Sequence, residues 1–263
     1  MGVLNVTPDS FSDGGMYLDP GRAIEHAHRM VEEGADLIDV GGESTRPGSE
    51  PVSLDEELRR IRPLLRPLVD QLPVPLSVDT YKADVAAVAL AEGVDLINDI
   101  SGLGMDPRMA PVVAEAGAGL VLTHIRGTPR TMQADPQYDD LLGEVREYLR
   151  ERILLAEAHG VHPEAIAVDP GIGFGKRLEH NLLLLKSLSE LQVLKKPLLV
   201  GPSRKSFIGK ILDLPVEERL EGTAAAVAIA IWQGAHIVRV HDIGAMVRVA
   251  RVTDAIRKGC GNR

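Results

Sequence analysis

Short apolar runs that stop at a polar residue recur along the whole chain. They predict β-strands near residues 1–5 (MGVLN), 36–40 (DLIDV), 75–79 (PLSVD), 95–99 (DLIND), 119–123 (GLVLT), 165–169 (AIAVD), 197–201 (PLLVG) and 236–240 (HIVRV). Between them lie longer segments, among them 21–33, 54–71, 83–92, 139–159 and 221–233, with the apolar spacing of a helix that buries one face. Strand–helix alternation implies parallel βαβ units. Eight strands in 263 residues predict an α/β fold of the (β/α)8 TIM-barrel type, with residues 1–263 as one domain.

A weak internal repeat supports the count. EGADLID (33–39), EGVDLIN (92–98) and QGAHIVR (233–239) each place a glycine at a helix end, then a small or branched residue, then a strand. A doubly wound open sheet would show the same units, and the number of strands is what favours closure. Two segments break the rhythm: residues 6–19 (VTPDSFSDGGMYLD) and 41–53 (GGESTRPGSEPVS) are long, polar and rich in Gly, Pro and Ser. Loops of this length in a compact domain are usually lids or binding loops.

Composition narrows the class of function. Hydrophobic residues make up 44% of the chain but aromatics only 3%, so the core is aliphatic. The net charge is −9 with no long basic run, which argues against a broad nucleic-acid-binding face. One cysteine, Cys260, excludes an intrachain disulfide framework and a cysteine zinc site, and suits a reducing cytoplasm. No signal-peptide pattern is visible, and the apolar runs are too short or too alanine-rich to span a bilayer, so no membrane association is expected.

In a barrel of this type the strand C-termini and the loops after them form one face. Asn5, Asp39, Asp79, Asn98, His124, Asp169, Ser203 with Lys205, and Arg239 with His241 would converge there. A single strand-end aspartate is more often a helix cap or turn residue, and a lone histidine more often satisfied structure. Polar ends on nearly every strand exceed what capping explains, because the strand interiors otherwise read as apolar. Asp79, Asn98, Asp169 and Lys205 mix acceptors and donors in the way that the edge of a flat, guanine-like heterocycle demands. Arg239, His241, Asn5 and Thr45 have a second character, suited to phosphate, with Asn5 an oxygen ligand for a magnesium ion shared with phosphate oxygens. The ordinary structural role for Arg239 would be a salt bridge to Asp242. Other chemistries fail on spacing. DPGIGFGK (169–176) misses the phosphate-loop pattern and the full dinucleotide fingerprint, and the chain has no HExxH and no Gly-x-Ser-x-Gly elbow.

The stretches MGVLNVTPDSFSDGG (1–15), IDVGGESTRPG (38–48), SVDT (77–80), IND (97–99), DPGIGFGK (169–176), GPSRKSFIG (201–209) and IVRVHD (237–242) closely resemble the dihydropteroate synthase family, the sulfonamide targets of folate biosynthesis. The likeness runs over almost the whole chain and keeps order and spacing. It implies the (β/α)8 fold and one reaction, in which the amine of 4-aminobenzoate displaces diphosphate from a dihydropterin methyl diphosphate, by an SN1-like path with loops 6–19 and 41–53 closing the site. By resemblance Asp79, Asn98, Asp169 and Lys205 hold the pterin, and Thr45, Arg239 and His241 the diphosphate. Asn5 holds Mg²⁺, while Phe11, Arg46, Pro47, Phe174 and Ser206 form the aminobenzoate site. Asp13, Asp79, Lys205 and Arg239 are the implied catalytic residues, Asp13 facing the cationic methylene.

Two departures stand out: the first strand begins almost at Met1, where the family often has an extension, and Thr123 stands where a methionine is common before the histidine. The first implies a less covered barrel bottom, the second an altered pterin wall. The competing expectation is a non-catalytic pterin- or folate-binding barrel of methyl-transfer type, which would not need Thr45, Arg46 and Ser206 together. An aldolase-type barrel would want a lysine on a strand, and Lys205 lies beyond one. The alanine-rich, apolar segment 221–233 on the barrel's outside suggests a homodimer.

Overall fold

Alternation along each strand decides the architecture, because successive side chains point to opposite faces. A computed structural model describes residues 1–7 and 19–259. Its strands are β1 (Gly2–Asn5), β2 (Ile38–Gly41), β3 (Leu76–Asp79), β4 (Leu96–Asp99), β5 (Gly119–Thr123), β6 (Ile166–Asp169), β7 (Leu199–Val200) and β8 (Ile237–Val238). All pairings are parallel: β1 through β6 form one sheet in sequence order and β7 pairs with β8. Single bridges, Val168 to Leu198 and Gly2 to Val240, join the two sheets at both seams and close the barrel. The Val3 N–H donates to the carbonyl of Val240 (3.1 Å) and the Val240 N–H to that of Met1 (3.0 Å). Strands β7 and β8 are shorter than the pattern predicted; Pro197 and Pro202 flank β7 and offer no N–H to a ladder.

The helices between the strands are α1 (Pro20–Glu32), α2 (Leu54–Gln71), α3 (Ala83–Ala91), α4 (Met109–Ala116), α5 (Leu141–Ala158), α6 (Leu178–Lys186), α7 (Ser206–Leu212), α8 (Leu220–Trp232) and α9 (Ile243–Lys258). Local sequence sets several ends. Asp19, Ser53 and Asp140 accept backbone N–H bonds at the starts of α1, α2 and α5. Gly34, Gly93 and Gly234, the glycines of the sequence repeat, have φ of +102°, +98° and +102°, a left-handed turn that lets the chain leave α1, α3 and α8 and enter the next strand.

Outward strand residues, including Leu4, Ile38, Val40, Val78, Ile97, Leu122, Val168 and Val200, join the helices in one aliphatic core. Inward residues split into two zones. Met1, Val121, Ala167 and Leu199, with Leu37, Leu96 and Ile237 against them, make an apolar plug at the N-terminal end of the barrel. The Met1 side chain is itself part of this plug, so the bottom of the barrel is filled from the first residue. Above the plug the inward face turns polar, with Asp39 and Ser77 inside β2 and β3, so the strand interiors are not wholly apolar as the sequence suggested. Among the described residues no helix is long and apolar enough to cross a membrane.

Candidate functional site

Register places the polar strand ends on one rim. Asn5 pairs with Gly41, Gly41 with Asp79 and Asp79 with Asn98, while Thr123 pairs with Asp169 on the other side. Asp79, Asn98, Asp169, Phe174, Lys205, Arg239 and His241, with Val3, Ile100, Thr123, Gly201 and Ser203, surround one cleft. The ring-holding and phosphate-holding candidates therefore meet in one place. Thr45 is half-exposed, Arg46, Pro47 and Ser206 are exposed, and none of them lines the cleft; Asn5 stands on the rim beside it. Phe11 and Asp13 lie outside the described residues.

The floor of the cleft is a charge cluster. Arg239 does not pair with Asp242, as its ordinary role would have it. Its Nε donates to Asp39 Oδ2 (2.6 Å) and its Nη2 to Asp79 Oδ2 (2.9 Å). Asp242 pairs instead with Arg204, through Nε (2.9 Å) and Nη2 (2.5 Å). The reason is alternation: Arg239 points into the barrel, whereas Asp242 lies past the strand, toward the loop after β7. Asn98 Nδ2 donates to the same Asp39 oxygen (3.0 Å). Burial, opposed by Arg239 and reinforced by Asp39, pushes the Asp79 carboxyl up to about 7. Burial also raises Asp169, whose Oδ1 accepts the Gly171 N–H (2.7 Å). Lys205 donates to the carbonyl of Ile172 and lies 4.5 Å from the centre of the Phe174 ring; burial, against the pull of Asp169, lowers it to about 8. His241 shares a hydrogen bond with Ser203 Oγ (3.0 Å), and burial with the nearby guanidinium of Arg239 pushes it down to about 3, so the ring is neutral at pH 7.

Three loops shape the walls. In DPGIGFGK, Gly171, Gly173 and Gly175 all take positive φ (+69°, +83°, +64°). A Cβ on Gly171 would sit 1.9 Å from the His124 carbonyl oxygen, and one on Gly175 would sit 2.5 Å from that of Arg126. The glycines let this loop lie close against the residues that follow β5. Lys176 secures it: the buried Nζ donates to the Phe174 carbonyl (3.0 Å) and to His124 Nδ1 (2.9 Å), and burial holds its pKa well below the usual lysine value. The loop after β2 is pinned at its roots by Glu43, which accepts from Tyr81 Oη (2.7 Å), the Lys82 ammonium and the Val52 N–H (3.4 Å). Its tip meets the loop after β5, the Gly48 N–H donating to the Pro129 carbonyl (2.9 Å) and Arg130 pairing with Glu50 (3.4 Å). Arg204, in the loop after β7, holds a left-handed φ of +56°, fixed by Asp242, by its N–H on Thr223 Oγ1 (2.9 Å) and by Arg219 on its carbonyl (3.0 Å).

Sequence reasoning placed Asp39 at the rim without a role and passed over Lys176. The period-two pattern held the first signal: Asp39 shares a face with Gly41, and Gly41 faces Asp79. Asp99, next to Asn98, points the other way and caps a turn, its oxygens accepting the Ser101 and Leu103 N–H groups (both 2.8 Å). Among the described residues there is no cluster of three or more His, Cys, Asp or Glu that could hold a metal by itself.

Comparison with known proteins adds an independent line. Residues 1–241 match the pterin binding enzyme family. A dihydropteroate synthase from Synechocystis is 52% identical over 257 residues, covering 97% of this chain and 89% of that protein. One from Escherichia coli is 47% identical over 255 residues, with 97% and 90% covered. The crystal structure of the Yersinia pestis dihydropteroate synthase in a sulfonamide drug complex superposes with a TM-score of 0.95 at 45% identity, covering 98% of this chain and 94% of that one. The Xanthomonas albilineans enzyme with 4-aminobenzoic acid gives 0.91 at 43%, with 98% and 93% covered.

Proposed function

The chain belongs to the pterin-binding enzyme family as one of its dihydropteroate synthases, and we propose how its rim carries out the reaction. The nitrogen of 4-aminobenzoate forms a bond to the methylene of (7,8-dihydropterin-6-yl)methyl diphosphate; the C–O bond breaks, its electron pair leaves with diphosphate, and the amine loses a proton to give 7,8-dihydropteroate. The observation that carries this reading is a single cleft lined by Asp79, Asn98, Asp169 and Lys205 beside Arg239 and His241.

In this reading the carboxylates of Asp79 and Asp169 accept ring N–H groups, Asn98 supplies a carbonyl oxygen, and the Lys205 ammonium donates to ring oxygen or nitrogen. Neutral His241 and charged Arg239 meet the diphosphate as negative charge grows on it. Thr45 reaches the same group as the loop after β2 closes, and Arg46, Pro47, Phe174 and Ser206 enclose the second substrate. The resemblance assigns Phe11 to the same substrate and Asp13 to stabilising the cationic methylene. Exclusion of water matters because a free methylene cation would be hydrolysed before the amine arrived.

The residues fit a magnesium ion bound jointly with substrate. The Asn5 amide oxygen stands at the rim, 3.1 Å from where a Cβ on Gly41 would lie, so a side chain there would crowd it. Mg²⁺ prefers such hard oxygen ligands and takes the rest of its shell from phosphates and water. When bound, the ion would supply Lewis-acid stabilisation of the leaving diphosphate.

Sulfonamides, which occupy the Yersinia enzyme, are expected to compete with aminobenzoate here. We place the protein in the reducing cytoplasm, which its single cysteine suits, and as a homodimer through α7 to α9, where Ile211, Ile229, Trp232, Val252 and Ile256 are exposed; a monomeric mass in sedimentation would remove the dimer. The decisive experiment is formation of dihydropteroate from the two substrates with Mg²⁺. Tight pterin binding with no product would instead support a non-catalytic binding barrel.

A further inference from the structure

We propose that Asp39 is a positioning residue for this reaction: one buried carboxylate oxygen orients both the amide that reads the pterin and the guanidinium that takes the diphosphate. Asp39 has no exposed surface. It lies one inward layer below the rim, where β2 pairs with Ser77 of β3, and so reaches no substrate atom itself. Its Oδ2 accepts from Asn98 Nδ2 (3.0 Å) and from Arg239 Nε (2.6 Å).

Each contact has a directional consequence. An amide that donates its nitrogen downward to Asp39 must present its oxygen to the cleft. Asn98 therefore faces the ring as an acceptor, and ring amino groups are what an acceptor selects. Arg239 has five N–H groups, of which Asp39 takes the Nε–H and Asp79 takes one on Nη2. Three remain for phosphate oxygens, held in the plane that the two carboxylates define. Asp79 cannot provide this alignment alone, because it also lines the cleft and its Oδ1 has no partner, ready for a ring N–H. Asp39 is the fixed partner, out of reach of substrate, that keeps Arg239 aimed when Asp79 turns to the ring.

The inference rests on the functional reading above, and the test separates the two. Mg²⁺–diphosphate and the diphosphate-free alcohol 6-hydroxymethyl-7,8-dihydropterin are titrated calorimetrically into wild type and Asp39→Asn. The variant is expected to weaken diphosphate about 10-fold and the pterin alcohol about 3-fold or more. The KM for 4-aminobenzoate should stay within about twofold. Acting through its two partners, Asp39→Asn should cost less than about twofold further diphosphate affinity in an Arg239→Gln background, and less than about twofold further ring affinity in an Asn98→Ala background. Unchanged affinities in Asp39→Asn, or losses that persist in either background, overturn the assignment. If Asp39→Asn does not fold, Asp39→Ser, which leaves space for water, takes its place; failure of both to fold marks Asp39 as a folding residue and also overturns it. A wild type that makes no dihydropteroate sinks the functional reading, whereas an active wild type beside an unimpaired Asp39→Asn sinks only this inference.

Discussion

Replacing Asp79 by asparagine should make the protein more stable and less active at once, and the stability gain should depend on pH. Asp79 is buried between Arg239 and Asp39, with Glu57 and Asp99 adding negative potential. Burial dominates, and the carboxyl rises from an ordinary 3.8 to about 7. A group whose folded-state pKa lies above its unfolded value binds its proton more tightly in the folded protein. Its favourable contribution is therefore fully present below pH 3.8 and drains away as pH rises to 7. Roughly three pH units separate the two states, and each is worth about 1.4 kcal/mol, so ionised Asp79 costs about 4 kcal/mol at pH 8.

Asparagine has the shape of the neutral acid, keeps an oxygen for Arg239 Nη2 and never ionises. Asp79→Asn should exceed wild type by about 2–4 kcal/mol at pH 8, with the gap closing toward pH 4. Turnover should fall at least ~100-fold, because with its oxygen on Arg239 the amide turns an NH₂ donor toward the ring, where the ring N–H needs an acceptor. Urea unfolding midpoints of both proteins at pH 5, 6, 7 and 8, with far-UV circular dichroism as the readout, measure the gap. A variant that is less stable by the same amount at every pH, or a gap that narrows as pH rises, would refute the reasoning.

Arg239→Ala should lower dihydropteroate formation at least ~100-fold while still giving a cooperative melt, since Asp79 can take up the proton that relieves two unpaired carboxylates; near-normal rates would show that the diphosphate is held elsewhere. Gly171→Ala should cost roughly 2–4 kcal/mol in thermal unfolding, because φ is +69° and the new Cβ would meet the His124 carbonyl at 1.9 Å; a shift of under a degree would mean that the loop relaxes freely. Calorimetric titration should show 4-aminobenzoate binding at least ~10-fold more tightly with Mg²⁺ and diphosphate present, as loop ordering by the first ligand requires; equal affinities would contradict the lid.

The barrel was legible because its signal is repeated. An apolar run that ends in Asp, Asn or Arg recurs on different strands, and glycines 34, 93 and 234 mark the same helix-to-strand turn. The convergence of Asp79, Asn98, Asp169, Lys205 and Arg239 follows from that topology, since parallel strands bring every C-terminus to one face. Partner choice was not legible. Arg239 and Arg204 both lie near Asp242 along or across the chain, and only the pleat decides that Arg239 turns inward to Asp39 and Asp79 while Arg204 takes Asp242. Lys176 was missed because a lysine at the end of a glycine loop looks solvated; its burial depends on three left-handed glycines folding the loop back over it. The tip of the loop after β2 rests on Pro129 through one backbone hydrogen bond, a contact between distant segments that no local pattern encodes.

The two faces of the barrel wall divide the work between stability and chemistry. The outer face, with the helices, is aliphatic and buried, and each Leu, Ile or Val there contributes roughly 1.5–3 kcal/mol. The inner face above the plug works against folding. Asp39 Oδ1, Asp79 Oδ1 and Ser77 Oγ are buried without a hydrogen-bond partner, and an unmet buried polar atom costs about 1–3 kcal/mol. These atoms sit together on β2 and β3, under the place where a ring with several N–H groups would lie. Such a distribution is what selection for binding, rather than for stability, would leave: Asp79 Oδ1 lies at the cleft, open to a ligand, while Asp39 and Ser77 form the polar layer beneath it. It follows that the substitutions that stabilise this chain most should be found on the inner rim, as Asp79→Asn is, and should be inactive. Changes of similar size on the outer face should lower stability first and reach activity only through it.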